Sequence, residues 1–302
     1  MDVIICLAEN SYWHGVAALV NSLIKCQFKG VLFVGYRGNL PTWINDQLSL
    51  VEGKTYRINE DIQLQLIEVN TKRHLGYEKA FFIAEVLKDP AIERLFYFDT
   101  DCIPIADYQF YLNWTDHHIG VCMDECFKFI HENHPWKLVW KEKLESFGYP
   151  SIYQHPYINS GFLGLSKINF SLIDTWVNLT SRLEKEGLDT SSFNKNPLLA
   201  VQGDQEILNM ALSTLPPSII SVIGPEGMGF TEPIYLMVHC TSAEKPWSKN
   251  FLWSFLKTGN RPSLREKIFL SFLNEDIMCM NKFKYSLKKI NLTLTTLIAR
   301  IF

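Results

Sequence analysis

Leu95-Phe96-Tyr97-Phe98-Asp99-Thr100-Asp101 runs four apolar residues straight into two carboxylates placed two apart. A run this short and this apolar reads as a buried strand. An unpaired carboxylate is too costly inside such a strand, so Asp99 and Asp101 are expected where the strand leaves its sheet. In open α/β sheets that end is where ligands bind. Two oxygen ligands suit a hard divalent cation, and such a cation suits a diphosphate. An Asp-Thr-Asp turn with no metal has the same local pattern and stays open at this point.

Outward from this stretch, strands alternate with helices. Val3–Leu7 reads as a strand, Ala8-Glu9-Asn10-Ser11 as a polar turn, and the residues through Gln27 as a helix. Val31–Tyr36 and Leu64–Val69 are further strands, with a helical segment expected over Pro41–Val51. Tyr77–Leu87 has helical spacing and stops before Asp89-Pro90. This order predicts an α/β fold with a mostly parallel sheet and right-handed crossovers. Beyond Asp101 the pattern is less regular. His117–Cys122 suits a strand, Trp136–Phe147 a helix closed by Gly148 and Pro150, and Asn169–Glu186 a helix. Tyr157–Leu165 reads as a strand broken by small residues, and a strand glycine marks close approach by a ligand or another backbone. Asp204 stands at a helix start, where it suits a cap. Tyr235–His239 is a last strand that again ends in a metal-competent group.

Bulk properties exclude several classes. The 302 residues are 47% hydrophobic and 20% charged, enough for a large core and far from a disordered composition. A net charge of −3 gives no reason to expect nucleic-acid binding. Seven cysteines without CxxC pairs argue against a zinc ribbon or disulfide scaffold and fit reduced thiols in a cytoplasm. Met1–Leu7 starts acidic with a very short apolar run, so no signal peptide is expected, and no apolar stretch is long enough to span a bilayer.

The segments gain meaning from their order: an N-terminal strand and polar turn, a central DxD, an NxG strand, a DQ helix start, and a late His-x5-Lys-Pro-Trp. In this order, over roughly residues 1–250, the chain resembles the retaining nucleotide-sugar glycosyltransferases of the GT-A fold that include glycogenin and the bacterial lipooligosaccharide galactosyltransferases, glycosyltransferase family 8. The resemblance implies Mn²⁺ or Mg²⁺ held by Asp99, Asp101 and His239 and bridging the phosphates of a UDP-sugar. It implies that Lys245 touches the diphosphate, with Thr100 between the metal carboxylates. Ala8, Asn10 and Tyr12 would line the nucleoside pocket, and Lys79 would lie near donor sugar and phosphate. Asn159 would stand beside the sugar, and Asp204 and Gln205 would hold its hydroxyls and face the reacting carbon. Ser242 occupies a position where the family has a glycine meeting a phosphate. The implied activity is hexosyl transfer, with retention, to a glycan, a lipid-linked glycan or another acceptor hydroxyl such as a protein's. The stretch Asp124–Tyr153, with His131, His134, Trp136 and Trp140, lies where the family varies with its acceptor.

After the catalytic region (1–250), residues 251–302 read as a basic extension. From Arg261 to Phe302 there are eight Lys or Arg against three Asp or Glu. Phe283, Leu287, Ile290, Leu294, Leu297 and Ile301 fall on one helix face. A basic amphipathic helix suits the surface of an anionic membrane, here the inner face, or packs on the domain or a second subunit. Two other functions stay open. Phe98-Asp99-Thr100-Asp101 also resembles the nucleophile motif of haloacid dehalogenase-like phosphatases, and a non-catalytic carbohydrate-binding protein can keep a transferase fold.

Overall fold

The computed structural model describes residues 1–125, 130–149, 152–193, 196 and 199–301. Pro150, expected to close a helix, lies outside them, as do residues 126–129 of the stretch Asp124–Tyr153. In chain order the described elements are β1 (Asp2–Glu9), α1 (Trp13–Lys25), β2 (Gly30–Arg37), α2 (Thr42–Gln47), β3 (Ser49–Glu52), β4 (Thr55–Arg57), β5 (Ile62–Glu68), α3 (Leu75–Val86), β6 (Arg94–Phe98) and β7 (Cys102–Pro104). There follow α4 (Tyr108–Thr115), β8 (Ile119–Cys122), α5 (Pro135–Ser146), β9 (Phe162–Ser166), α6 (Ser171–Lys185), α7 (Asp204–Ser213), β10 (Ile220–Ile223), β11 (Met237–His239), α8 (Phe251–Thr258), α9 (Leu264–Ser271) and α10 (Lys282–Ile298).

Nine strands form one sheet in the order β10-β8-β9-β6-β1-β2-β5-β4-β3. Strands β6, β1, β2 and β5 are parallel, β9 runs antiparallel between β6 and β8, and β3–β4 is an antiparallel edge hairpin. Strand β1 is apolar at every position from Val3 to Ala8 because both faces are covered, as in parallel sheets generally. Val3, Ile5 and Leu7 enter one core layer, and Ile4, Cys6 and Ala8 enter the other. From β1 the chain winds one way through β2 and β5, then returns to place β6 on β1's other edge. The crevice beyond the ends of β1 and β6 is therefore the topological switch point, and Glu9 and Asp99 stand at it.

The α/β expectation with a mostly parallel core holds, and local expectations differ in four places. The helix over Pro41–Val51 covers only Thr42–Gln47. Gly53, at φ 55°, turns the chain back so that β3 pairs with β4. The strand expected over Tyr157–Leu165 begins only at Phe162. Before it, the Asn159 side chain accepts from Gly161 N and that of Gln205 from Ser160 N, replacing ladder bonds. The final strand is confined to Met237–His239. Strand β1 continues to Glu9, so Ala8 and Glu9 are strand residues and the turn is Asn10–Tyr12.

Hydrogen bonds cross residue 250 in the core. The fully buried Asn21 of α1 donates to Phe272 O and Ile277 O and accepts from Ile277 N. Helix α1 also fixes the Asp-Thr-Asp turn: a Cβ at Gly15 would lie 2.0 Å from the Thr100 carbonyl oxygen. Gly15→Ala is expected to cost about 2 kcal/mol of stability by displacing that turn. Denaturant unfolding of the variant checks it, and an unchanged midpoint would contradict the contact.

Candidate active site

The switch-point crevice opens into a cavity of about 590 Å³, within the range of small-molecule sites. Its floor is the end of β6. Asp99 N donates to Gly161 O of the segment entering β9, and Cys102 N to Asp99 O, which closes a tight turn holding Asp99 and Asp101 side by side. Immediately after the turn, β7 pairs antiparallel with β11, with Cys102 opposite His239. Cys240 N also donates to Asp101 O. A two-stranded ribbon thus delivers His239 to the carboxylates from 138 residues further along the chain.

Ligand atoms of Asp99, Asp101 and His239 all lie within 4.8 Å of one another. His239 Nε2 is 3.2 Å from Asp101 Oδ1, and its Nδ1 is buried without a hydrogen-bond partner. Two carboxylates and an imidazole make a donor set that fits a hard divalent cation. The ring packs against Gly161, where a Cβ would come within 2.3 Å of His239 Cε1. The close approach expected at a strand glycine is therefore made by a side chain of the site itself.

Two lysines balance the carboxylates. Lys245 Nζ lies 2.5 Å from Asp101 Oδ2. Burial opposes charge on Asp101, but His239 and Lys245 outweigh it and hold the carboxyl well below its usual range. Lys79 Nζ reaches Asp99 Oδ1 at 2.9 Å and Asp204 Oδ2 at 2.9 Å, the second contact being an ion pair without hydrogen-bond alignment. Burial alone would lower the Lys79 ammonium, yet Asp204 and Asp99 raise it above its usual value. Lys79 lies on the same α3 stripe as Leu75 and Ile83, a charge inside an apolar face, which is the sequence signal for a buried partner. Tyr97 OH donates to Asp99 Oδ1 at 2.9 Å.

Asp204 is the first residue of α7, so its pairing with Lys79 accompanies its place at a positive helix end. Gln205 Oε1 accepts from Ser160 N at 3.1 Å, and its Nε2 donates to Asp124 at 3.3 Å. Asn159 Nδ2 donates to the same Asp124 oxygen at 2.8 Å. Asp124 thus positions both amides. No motif in the sequence marked it individually, because it sits after β8 and is brought to Asn159 by the 122–124 and 157–159 backbone bonds.

The cavity brings together Tyr12, Lys79, Asp99, Thr100, Asp101, Asn159, Asp204, Gln205, His239 and Lys245. Ala8, Asn10 and Ser242 are not among its lining residues. Strand alternation sends Ala8 into the core while Leu7 and Glu9 face the cavity. Asn10 is exposed, at φ 51°, and Ser242 is exposed, with its hydroxyl donating to Glu244 O. Their neighbours take those places: Glu9, held by Arg37 at 2.7 Å, and Thr241. Phe193, against His74 at 4.1 Å, walls the cavity from the α6–α7 connection. In the stretch Asp124–Tyr153, Trp136 and Trp140 are buried, Trp140 stacking on Tyr157, so these rings serve the core.

No family model and no curated protein matches this chain. Solved structures do. The bifunctional glycosyltransferase WbbM matches with a TM-score of 0.56 and 12% identity over 95% of this chain and 51% of its own. The glycosyltransferase GlyE of Streptococcus pneumoniae TIGR4 matches with a TM-score of 0.52 and 14% identity, over 97% of this chain and 62% of its own. The galactosyltransferase LgtC, solved with donor and acceptor sugar analogues, matches with a TM-score of 0.53 and 14% identity over 95% of this chain and all of its own. The chain thus spans about half to two thirds of the first two and the whole of the third. These likenesses show the fold, which is the GT-A glycosyltransferase fold.

Removing Lys79 leaves two carboxylates facing each other without a cation. Lys79→Met is expected to lower stability by about 3 kcal/mol or more, the cost of breaking a buried pair. Urea unfolding measures this, and stability equal to the parent would mean that solvent already screens Asp99 and Asp204.

Proposed function

We propose that the cavity binds a UDP-hexose with a divalent ion and transfers the hexose, with retention, to a hydroxyl of a glycan or lipid-linked glycan. The observation that carries this reading is the joining of two sets in one cavity: Asp99, Asp101, His239 and Lys245, and Asn159, Asp204 and Gln205. The first set suits a diphosphate and the second a polyhydroxylated ring. The GT-A fold of the chain supports the same class.

Asp99, Asp101 and His239 would hold Mn²⁺ or Mg²⁺, which when bound supplies positive charge to the diphosphate leaving group. Lys245 is placed to share that charge, exchanging its contact with Asp101 for one with a phosphate oxygen. Glu9 with Arg37, and Tyr12 packed edge-on to Trp247 at 5.6 Å, form the wall assigned to the nucleoside, next to Ala8 and Asn10. Thr241, rather than Ser242, lines the phosphate side. Asn159 and Gln205, locked by Asp124, are placed to orient sugar hydroxyls. Asp204, neutralised by Lys79, and the amide Gln205 are both poor nucleophiles. That favours attack by the acceptor hydroxyl on the face that UDP leaves: its oxygen bonds to the anomeric carbon as the bond to the β-phosphate oxygen breaks. The hydroxyl proton passes to the departing phosphate.

The phosphatase alternative needs Asp99 as a nucleophile. Here Tyr97 and Lys79 both clasp that carboxylate, which lowers its nucleophilicity. Residues 1–250 as catalytic unit and 251–302 as extension, in a cytoplasmic protein working at the inner membrane face, complete the proposal. Its support is the composition, with cysteines suited to a reducing compartment and a basic tail.

The test is a panel of UDP-sugars assayed for Mn²⁺-dependent hydrolysis and transfer. Asp101→Ala and His239→Ala are each expected to cut turnover by roughly a hundredfold or more, by analogy with losing one electrostatic group of an active site. Full metal-dependent turnover in either variant would refute the metal site. Asp204→Asn is expected to keep donor affinity and lower kcat, and an unchanged kcat would leave Asp204 a structural partner of Lys79.

A further inference from the structure

Helix α10 packs the wrong way round for an ordinary surface helix. Its inward face is polar to a large extent. Tyr285 OH donates to Leu270 O, Lys288 Nζ to Lys249 O, and Asn291 accepts from Leu252 N and donates to Asn250. Thr295 and Ala299 are the residues of α10 and its cap that are buried. The apolar stripe of Phe283, Leu287, Ile290, Leu294, Leu297 and Ile301 faces outward, from about half exposed at Leu294 (47%) to 81% at Ile301. Amphipathic helices normally bury that stripe. Helix α8, which packs on α10, adds Trp253 at 66% and Leu256 at 65% exposure. Exposed apolar area on this scale marks a contact surface.

The charge pattern selects the partner. No Asp or Glu occurs from Lys245 to Ser263 or from Ile277 to Phe302. The same two stretches carry Lys257, Arg261, Lys282, Lys284, Lys289 and Arg300, all exposed. Two copies meeting across a two-fold axis through this face would set lysine against lysine with no acid from either stretch between them. Anionic headgroups supply the missing negative charge, and acyl chains take the outward leucines and the indole.

We propose that α8 and α10 together form a membrane-docking face for anionic bilayers, with α10 lying in the interface plane. No described helix is long and apolar enough to cross a membrane, so the contact is lateral. The proposal extends the single-helix reading of the sequence to a two-helix face, and it does not depend on the sugar-transfer reading.

The test uses the full chain without any sugar donor, co-sedimented with phosphatidylcholine vesicles and with vesicles that also contain phosphatidylglycerol. Binding is expected to the anionic vesicles, to fall in high salt, and to bring a blue shift of tryptophan fluorescence that Trp253→Ser removes. Leu287→Gln with Leu294→Gln, and separately Lys284→Glu with Lys289→Glu, are each expected to weaken binding at least several-fold while leaving the circular dichroism spectrum and thermal midpoint unchanged, since all four side chains are exposed. Equal binding by parent and variants would overturn the proposal. So would failure to bind anionic vesicles, or a parent dimer that the leucine variant converts to monomer.

Discussion

Everything in the cavity depends on charges that cannot be buried alone. Four carboxylates, those of Asp99, Asp101, Asp124 and Asp204, stand close together in or beside it, and all but Asp99 are largely hidden from water. Each is satisfied by a group from a different part of the chain: Lys79 from α3 for Asp99 and Asp204, Lys245 and His239 for Asp101, and the Asn159 and Gln205 amides for Asp124. A buried ion pair adds little net stability, but removing one partner is very costly. The pairings therefore act as a lock on position. They hold six segments in one arrangement, and that arrangement lies at the ends of β1 and β6.

The same pairings prepare the site for a ligand. In the proposed reading, Lys245 and Lys79 hold carboxylates that a divalent ion would also hold, and their ammonium groups would serve the diphosphate. Asp124 adds to this order by clamping the Asn159 and Gln205 amides through one oxygen. Catalysis of group transfer rests on such positioned dipoles and charges, because they need not reorganise as charge develops.

At the other end of the chain the constraint is reversed. Tyrosine, lysine and asparagine hydrogen-bond α10 to the body of the protein, and its leucines meet the surroundings. Apolar surface without a partner in the molecule is a demand for one outside it. The lack of acids in the two stretches that carry α8 and α10 is what favours a negative partner in the proposal above.

Much of this was legible in the residues. The run into Asp99 and Asp101 marked a strand end, and the alternation of strands and helices marked the α/β class. The amphipathic period of α10 was equally plain. These features are local: they follow from spacing, from the cost of a lone buried carboxylate and from helix geometry. What only the tertiary structure decided is non-local. The β7–β11 ribbon brings His239 to Asp101 and the antiparallel β9 sets Gly161 beneath the imidazole. The β1 pleat turns Glu9 rather than Ala8 toward the cavity, Asp124 joins Asn159 to Gln205, and α10 shows its apolar side to the exterior. A sequence carries the period of each element, but the register between elements far apart in the chain, and the face each one turns inward, are set by which packing satisfies all buried charges and apolar surfaces at once.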